Sequence, residues 1–123
     1  MENEKVFAMK FEKVYGLLVN KAVRKGRTQE EVDALIHWLC GYDAEGIREQ
    51  VRQDVDYKTF FDNAPAWNPD SRFITGKICG ARIEEIKDPT MWKIRCLDKI
   101  IDELAKGKTL EKIMMRKKQS ALP

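Results

Sequence analysis

Signals that begin and end helices recur at short intervals along this chain, and they limit its fold more than any other feature of the sequence. Thr28 is followed three residues later by Glu31, which is the capping-box pattern of a helix start. Asp43, Asp56 and Asp88 precede further helical patterns, where an aspartate side chain accepts hydrogen bonds from free backbone N–H groups. The chain is therefore expected to form several short helices.

Apolar residues recur every three or four positions inside these segments, as a single buried helix face requires. The stripes are Phe7, Phe11, Val14, Leu18 and Ala22; Val32, Leu35, Ile36 and Leu39; and Ile94, Leu97, Ile101 and Leu104. Residues 1–115 are predicted to be all-α, a single compact domain of about six or seven mostly short helices that cross at steep angles. Residues 116–123 are predicted to be a basic, frayed tail.

The segment "NPDSRFITGKICGARIEEIKDP", residues 68–89, lies between two helix starts. Asn68–Pro69 and Asp88–Pro89 each combine a capping side chain with a proline at the first helical position. They frame a predicted helix of about 18 residues. A strand over residues 73–81 is the alternative, because isoleucine favours strands and Gly76 and Gly80 weaken a helix. A helix kinked near the glycines is preferred, because the rest of the chain offers no second strand for pairing.

Composition predicts a soluble globular domain, and the N-terminus and the cysteines predict a cytoplasmic location. Its 123 residues suit one domain. The composition, with 43% hydrophobic and 35% charged residues, differs from that of a disordered chain. The N-terminus lacks the apolar run of a signal peptide, and no stretch is long enough to span a membrane. The three cysteines are therefore expected to be reduced, buried thiols. The net charge of +3 neither requires nor excludes a polyanionic partner.

The glycine-rich stretch does not match a nucleotide-binding motif. A P-loop needs a glycine five residues before its Gly-Lys pair and a Ser or Thr after it, but Ser71 and Ile78 occupy those places. Gly76 and Gly80, one turn apart on the predicted helix, are expected to let another backbone pack closely.

Metal binding and catalysis find little support in the sequence. His37 and Cys40 have a chelating spacing, but Cys79 and Cys96 form no second local pair, so neither a metal nor another cofactor is predicted. His37 is expected to face solvent, and no residue is predicted to be catalytic. Three neighbouring carboxylates could do acid–base chemistry if one were shielded from water, namely Glu84, Glu85 and Asp88.

Residues 30–53 have the outline of a helix-turn-helix, which makes nucleic-acid binding an alternative function. The cations that would contact nucleic acid are Arg24, Lys25, Arg27, Arg48 and Arg52, and Gln50 lies on the same second helix. Against this function, Glu45 and Glu49 lie on that helix and would repel phosphate.

Four blocks of the sequence resemble a known family. They are "GRTQEEVDALIHWLCGYD", "FFDNAPAWNP", "ITGKICGARIEEIKDP" and "IRCLDKIIDELAKGKTLEKI". In this order they are similar to the prokaryotic family called domain of unknown function 2200, over about Val6 to Met114. The resemblance implies a small, mostly helical, cytoplasmic bacterial protein, and it implies no activity or site residues.

The function predicted first is binding, either to a second copy of the chain or to another protein. Nucleic-acid binding is the second hypothesis, and an enzyme or small-molecule binder is the third. A ligand site is predicted where the "APAWNP" loop meets the glycine segment, because hydrogen-bonding groups gather there beside two glycines. Its lining would be Trp67, Asn68, Arg82, Glu84 and Asp88.

Overall fold

The computed structural model describes residues 2–116, which form one mostly helical domain. The α-helices are α1 (Glu2–Phe7), α2 (Phe11–Arg24), α3 (Gln29–Cys40), α4 (Ala44–Arg52), α5 (Tyr57–Asp62), α6 (Pro89–Ala105) and α7 (Leu110–Met114). Between α5 and α6 lie two 3₁₀ helices, Pro69–Phe73 and Ile83–Glu85, and two strands, β1 (Lys77–Ile78) and β2 (Ala81–Arg82). The all-α prediction is confirmed, with the small sheet as its exception.

The helix boundaries follow from local side-chain hydrogen bonds. Thr28 Oγ1 accepts from the Glu31 backbone N–H at 3.1 Å, and Glu31 Oε1 accepts from the Thr28 N–H at 3.0 Å, so the predicted capping box forms. The aspartates Asp43, Asp56 and Asp88 each accept from a backbone N–H three residues later, as predicted. These contacts satisfy the N–H groups that a helix start leaves free.

Helix α6 is the centre of the fold. It contacts α2, α3, α5 and α7. Its residues Ile94, Leu97, Ile100, Ile101 and Leu104 are at most 1% exposed. Burial on several sides of one helix explains why its apolar residues occupy more than one stripe.

The first predicted helix is interrupted, which corrects the sequence prediction. Phe7 ends α1, whereas Phe11 starts α2. Between them the Met9 carbonyl accepts from the Tyr57 N–H at 2.7 Å, and the Phe11 N–H donates to the Val55 carbonyl at 2.9 Å. This pairing with a distant segment takes the backbone groups that a continuous helix would use, and the apolar spacing alone gave no sign of it.

The predicted helix through residues 69–87 is wrong. The segment holds the two 3₁₀ helices and an antiparallel hairpin, in which Lys77 pairs with Arg82 and Ile78 with Ala81. The turn residues Cys79 and Gly80 have φ of 53° and 79°, and a type I′ hairpin turn requires positive φ at both of its central residues. The second strand that the prediction lacked lies only two residues away. Gly80 therefore shapes the turn, whereas Gly76 lies just before β1, and neither glycine lies in a helix.

Two further sequence predictions concern the C-terminal tail and membrane-spanning segments. The predicted tail comprises residues 116–123, and all of these except Arg116 lie outside the described residues. Within residues 2–116, no helix has the length and apolar character needed to cross a bilayer.

Candidate functional site

A groove between α2, the start of α3 and α4 is the largest of three surface cavities considered below, at about 590 Å³. The cavity is called the α2–α4 groove. Its lining includes Tyr15, Gly16, Asp33, Ile47, Arg48 and Val51. Ile47 is buried and Val51 is half-buried, so the groove combines an apolar floor with polar walls. Protein and peptide partners are commonly bound by grooves of this composition.

Tyr15 forms one wall of the groove through a short hydrogen-bonded chain. Its hydroxyl donates to Asp33 Oδ1 at 2.6 Å and accepts from Gln29 Nε2 at 2.8 Å. Burial first, and then the hydrogen bond to Asp33, raises the pKa of Tyr15 to about 12. The hydroxyl therefore stays protonated at neutral pH, which makes it a fixed donor and a poor base or nucleophile.

The opposite wall carries two arginines that are paired with carboxylates on their own helix. Arg48 Nη2 lies 2.5 Å from Glu45 Oε1, and Arg52 Nη1 lies 2.7 Å from Glu49 Oε1. The hydrogen bond from Arg48 holds the pKa of Glu45 below its ordinary value. These pairs are solvent-exposed, so they contribute little to stability but do neutralise this wall.

Gly16 lines the groove from the middle of α2. A Cβ built on it would have no heavy atom within 4 Å. Its φ is not in the positive range, unlike that of Gly26 or Gly41. Sequence reasoning missed this residue, although a glycine inside an otherwise helical pattern was the available signal.

Trp67 and Asn68, two of the five residues predicted to line a site, do lie together. They line a second cavity of about 540 Å³ with His37 and Trp38. The Trp67 ring centroid lies 6.1 Å from that of Phe61 and 5.8 Å from that of Trp92, so the indole covers the edge of the core.

Asn68 is used by the backbone around this second cavity. Its side-chain amide donates to the Trp38 carbonyl at 3.0 Å, and its Oδ1 accepts from the Asp70 N–H at 2.8 Å. These contacts hold the loop against the end of α3.

Arg82, Glu84 and Asp88, the other three predicted residues, line neither the second cavity nor the α2–α4 groove. Glu84 Oε1 accepts from the Gly76 N–H at 2.9 Å, a hydrogen bond that fastens the hairpin and lowers the pKa of Glu84. Asp88 caps α6, because its Oδ1 accepts from the Met91 N–H. Arg82 is exposed, and its Nε lies 3.8 Å from Glu85 Oε2. The structure therefore gives Glu84 and Asp88 structural contacts, while a shared ligand site remains a prediction.

The cations predicted to contact nucleic acid have different surroundings. Arg24 and Lys25 are exposed at the end of α2. Arg27 is instead held by Glu31 and by the carbonyls of Leu104 and Lys108, both at 2.9 Å. Gln50, on the same helix as Arg48 and Arg52, is 8% exposed, and its Oε1 accepts from the Asn63 side-chain amide. Its helix turns this side chain toward the core.

Nucleophilic chemistry has no well-placed thiol among the buried cysteines. Burial raises the pKa of Cys40, and it raises that of Cys96 to about 12, so both stay as thiols at neutral pH. Cys79 was expected to be buried but is exposed, because it occupies the hairpin turn. His37 is exposed as predicted, with Nδ1 3.1 Å from the Tyr42 carbonyl oxygen. Within residues 2–116, no group of three or more His, Cys, Asp or Glu side chains could hold a metal ion.

Two of three comparisons with known proteins found a match. A search of curated proteins found no match. The crystal structure of uncharacterized protein SP1917 superposes with a TM-score of 0.86 at 47% sequence identity, covering 90% of this chain and 91% of that one. A family model described as "Uncharacterized protein conserved in bacteria (DUF2200)" matches residues 5–115. Since that match spans nearly the whole chain, the protein belongs to the bacterial DUF2200 family.

Proposed function

We propose that this protein acts by binding, and that the α2–α4 groove receives a helix of a protein partner. The observation that carries the proposal is Gly16. A glycine inside a helix weakens it by about 1 kcal/mol relative to alanine. Within residues 2–116, neither a positive φ nor a close intramolecular neighbour requires glycine at this position. Close approach of a second backbone is a reason for glycine that remains.

Exposed apolar side chains beside Gly16 support the same surface. Three large hydrophobic side chains are exposed in the described chain, and two of them, Leu17 and Val23, lie on α2, each 54% exposed. Val23 lies seven residues after Gly16, which places it two turns further along the same helix face. Val23 can therefore extend the apolar contacts that Ile47 offers on the groove floor, although it lies beyond the groove lining. Leu17 lies about 100° around α2 from Gly16 and also falls outside the groove lining.

The charges around the groove favour a protein over a nucleic acid. Glu12 and Asp33 line the α2–α3 side, and each arginine on the α4 side lies against a glutamate. A polyanion would be repelled by the carboxylates of Glu12 and Asp33, whereas an amphipathic helix with charges of both signs can match them. Nucleic-acid binding by residues 30–53 therefore has less support than protein binding.

Photo-crosslinking from inside the groove would test the proposal. In one variant a photoreactive amino acid would replace Ala44, an exposed residue of the groove wall. In a second variant of the same chain it would replace Lys58, which does not line the groove. We expect a crosslink to one protein in bacterial cells from position 44 and none from position 58. Sedimentation of the purified chain would show whether that partner is a second copy.

A pair of leucine substitutions supplies the control. Gly16→Leu fills the groove, whereas Lys13→Leu adds the same side chain to an exposed position of α2 outside the groove lining. The crosslink from position 44 should disappear with Gly16→Leu and persist with Lys13→Leu, both proteins remaining helical by circular dichroism. A crosslink unaffected by Gly16→Leu, or one made to nucleic acid, would contradict the proposal.

A further inference from the structure

A third cavity, separate from the α2–α4 groove, is dominated by positive charge. It has a volume of about 390 Å³ and lies where α6, α7 and the chain after the first 3₁₀ helix meet. Its ionisable lining residues are Lys99, Glu103, Lys108, Lys112 and Arg116. Four of these five side chains are cations and one is an anion, so the cavity lining carries a local net charge of +3.

Glu103 holds two of these cations in place. Its side chain is 9% exposed, Arg116 Nη2 pairs with its Oε1, and Lys108 Nζ lies 3.6 Å from its Oε2. One carboxylate is thus shared by two cations, so it cannot neutralise both. A guanidinium held in a fixed orientation loses less conformational freedom when it binds an anion.

Lys99 and Lys112 supply the cations that remain available. Within residues 2–116, neither ammonium group has a carboxylate within 4 Å. Lys99 Nζ lies 3.4 Å from the Lys77 carbonyl, and it also lies 3.4 Å from where a Cβ on Gly76 would stand. The hairpin thus positions this ammonium group beside the cavity. Thr75, which also lines the cavity, adds a hydroxyl donor.

We propose that this basic cavity binds a small molecule that carries several phosphate groups. Two unpaired ammonium groups, one oriented guanidinium and a hydroxyl are donors that phosphate oxygens accept. A volume of about 390 Å³ fits a small ligand within the usual range of ligand pockets. The site is independent of the protein-binding groove, since the two share no lining residue.

Calorimetric titration with inorganic triphosphate and with ATP, at low and at moderate salt, would test this site. The variant Lys99→Gln/Lys112→Gln removes the two unpaired cations. It should weaken binding of either probe by at least about tenfold, because each charged hydrogen bond contributes a factor of that size. Its melting temperature should stay close to that of the parent, since neither lysine has an ion pair in residues 2–116 and the contact of Lys99 with the Lys77 carbonyl is long and exposed.

The variant Lys13→Gln/Lys25→Gln lowers the net charge by the same amount at exposed positions outside the cavity. Binding should change by less than about twofold in this control, because distant surface charges are screened by salt. Equal weakening in the two variants would overturn the proposal by showing a response to net charge alone. Absence of binding by both probes would also overturn it. So would binding of a single-stranded oligonucleotide when neither small probe binds.

Discussion

Helices α2 and α3 lie side by side and contain similar apolar stripes, yet the fold uses them differently. Helix α3 begins with a capping box and ends at Gly41 with φ of 92°, so contacts within the chain explain both of its ends. Helix α2 begins at Phe11, the preceding residue Lys10 provides no side-chain cap, and Gly16 lies in the middle of the helix. Its outward face also carries the exposed Leu17 and Val23.

The contrast separates residues that the fold requires from residues that it does not. Gly41 has a conformational and a packing reason to be glycine, whereas Gly16 has neither within the described chain. Sequence features that weaken a fold without an internal reason are expected at functional surfaces. Helix α2 is therefore the helix on which we propose a partner surface, and substitutions in each helix can test this.

The largest effect is expected from Gly41→Ala. A Cβ at this position would stand 2.7 Å from the Ala66 backbone nitrogen, whose N–H donates to the Cys40 carbonyl at 3.0 Å. Strain at positive φ together with this clash should lower the free energy of unfolding by about 3 kcal/mol. Urea denaturation followed by circular dichroism would measure it.

Gly107→Ala separates the two causes at Gly41. Gly107 has φ of 106°, but no heavy atom lies within 4 Å of its Cβ position. It should therefore show only the conformational strain, about 1 kcal/mol. If the two alanine variants lose equal stability, the Ala66 contact is unimportant and Gly41 is explained by its φ alone.

Arg27→Ala should have the next largest effect, because it loosens the start of α3. The guanidinium donates to both carboxylate oxygens of Glu31, at 2.7 and 3.2 Å, and to the Leu104 and Lys108 carbonyls. Losing these charged hydrogen bonds in a mostly buried setting should lower the free energy of unfolding by about 2 kcal/mol. Arg52→Ala, whose pairs are exposed, should lose only a small fraction of this; equal losses would remove the distinction between the two sites.

The pair formed by Arg27 and Glu31 also predicts a pH dependence. The hydrogen bond from Arg27 lowers the pKa of Glu31 below its ordinary value of 4.5. The unfolded chain then binds this proton more readily, so the stabilisation is complete above pH 4.5 and is lost as the pH falls below that value. Thermal melts from pH 7 to pH 3 should show a smaller acid loss in Arg27→Ala than in the parent. Parallel curves would contradict the role of this pair.

The sequence could predict the structures that depend on nearby residues, and it could not predict those that depend on distant ones. The start and end of α3 depend on residues within one or two turns, namely Thr28, Glu31 and Gly41, so local pattern was sufficient. The break between α1 and α2 depends on hydrogen bonds with Val55 and Tyr57, distant in sequence, and spacing could not reveal it. In the hairpin, short strands of two residues leave almost no alternation to detect.

The candidate sites were less predictable than the fold. Each surface cavity is assembled from several elements, so its lining residues are scattered along the sequence. Trp67 and Asn68 could be found because an aromatic residue in a proline-rich loop is unusual in itself. Lys99 and Lys112 could not, because a helical pattern does not show which lysines form no ion pair with the other residues of 2–116.

The smallest expected change in stability, and the most informative one, comes from Gly16→Ala. Removing a mid-helix glycine should raise the free energy of unfolding by about 0.5 to 1 kcal/mol, since the added methyl group meets nothing within 4 Å. The same methyl group would stand between α2 and a docked helix, so crosslinking from position 44 should weaken. Gly46→Ala is the control: its Cβ would lie 3.2 Å from Asp43 Oδ1, so crowding should cancel part of the helical gain. A rise in stability with reduced crosslinking would show that Gly16 serves a partner, whereas a fall in stability would show that the fold itself requires it.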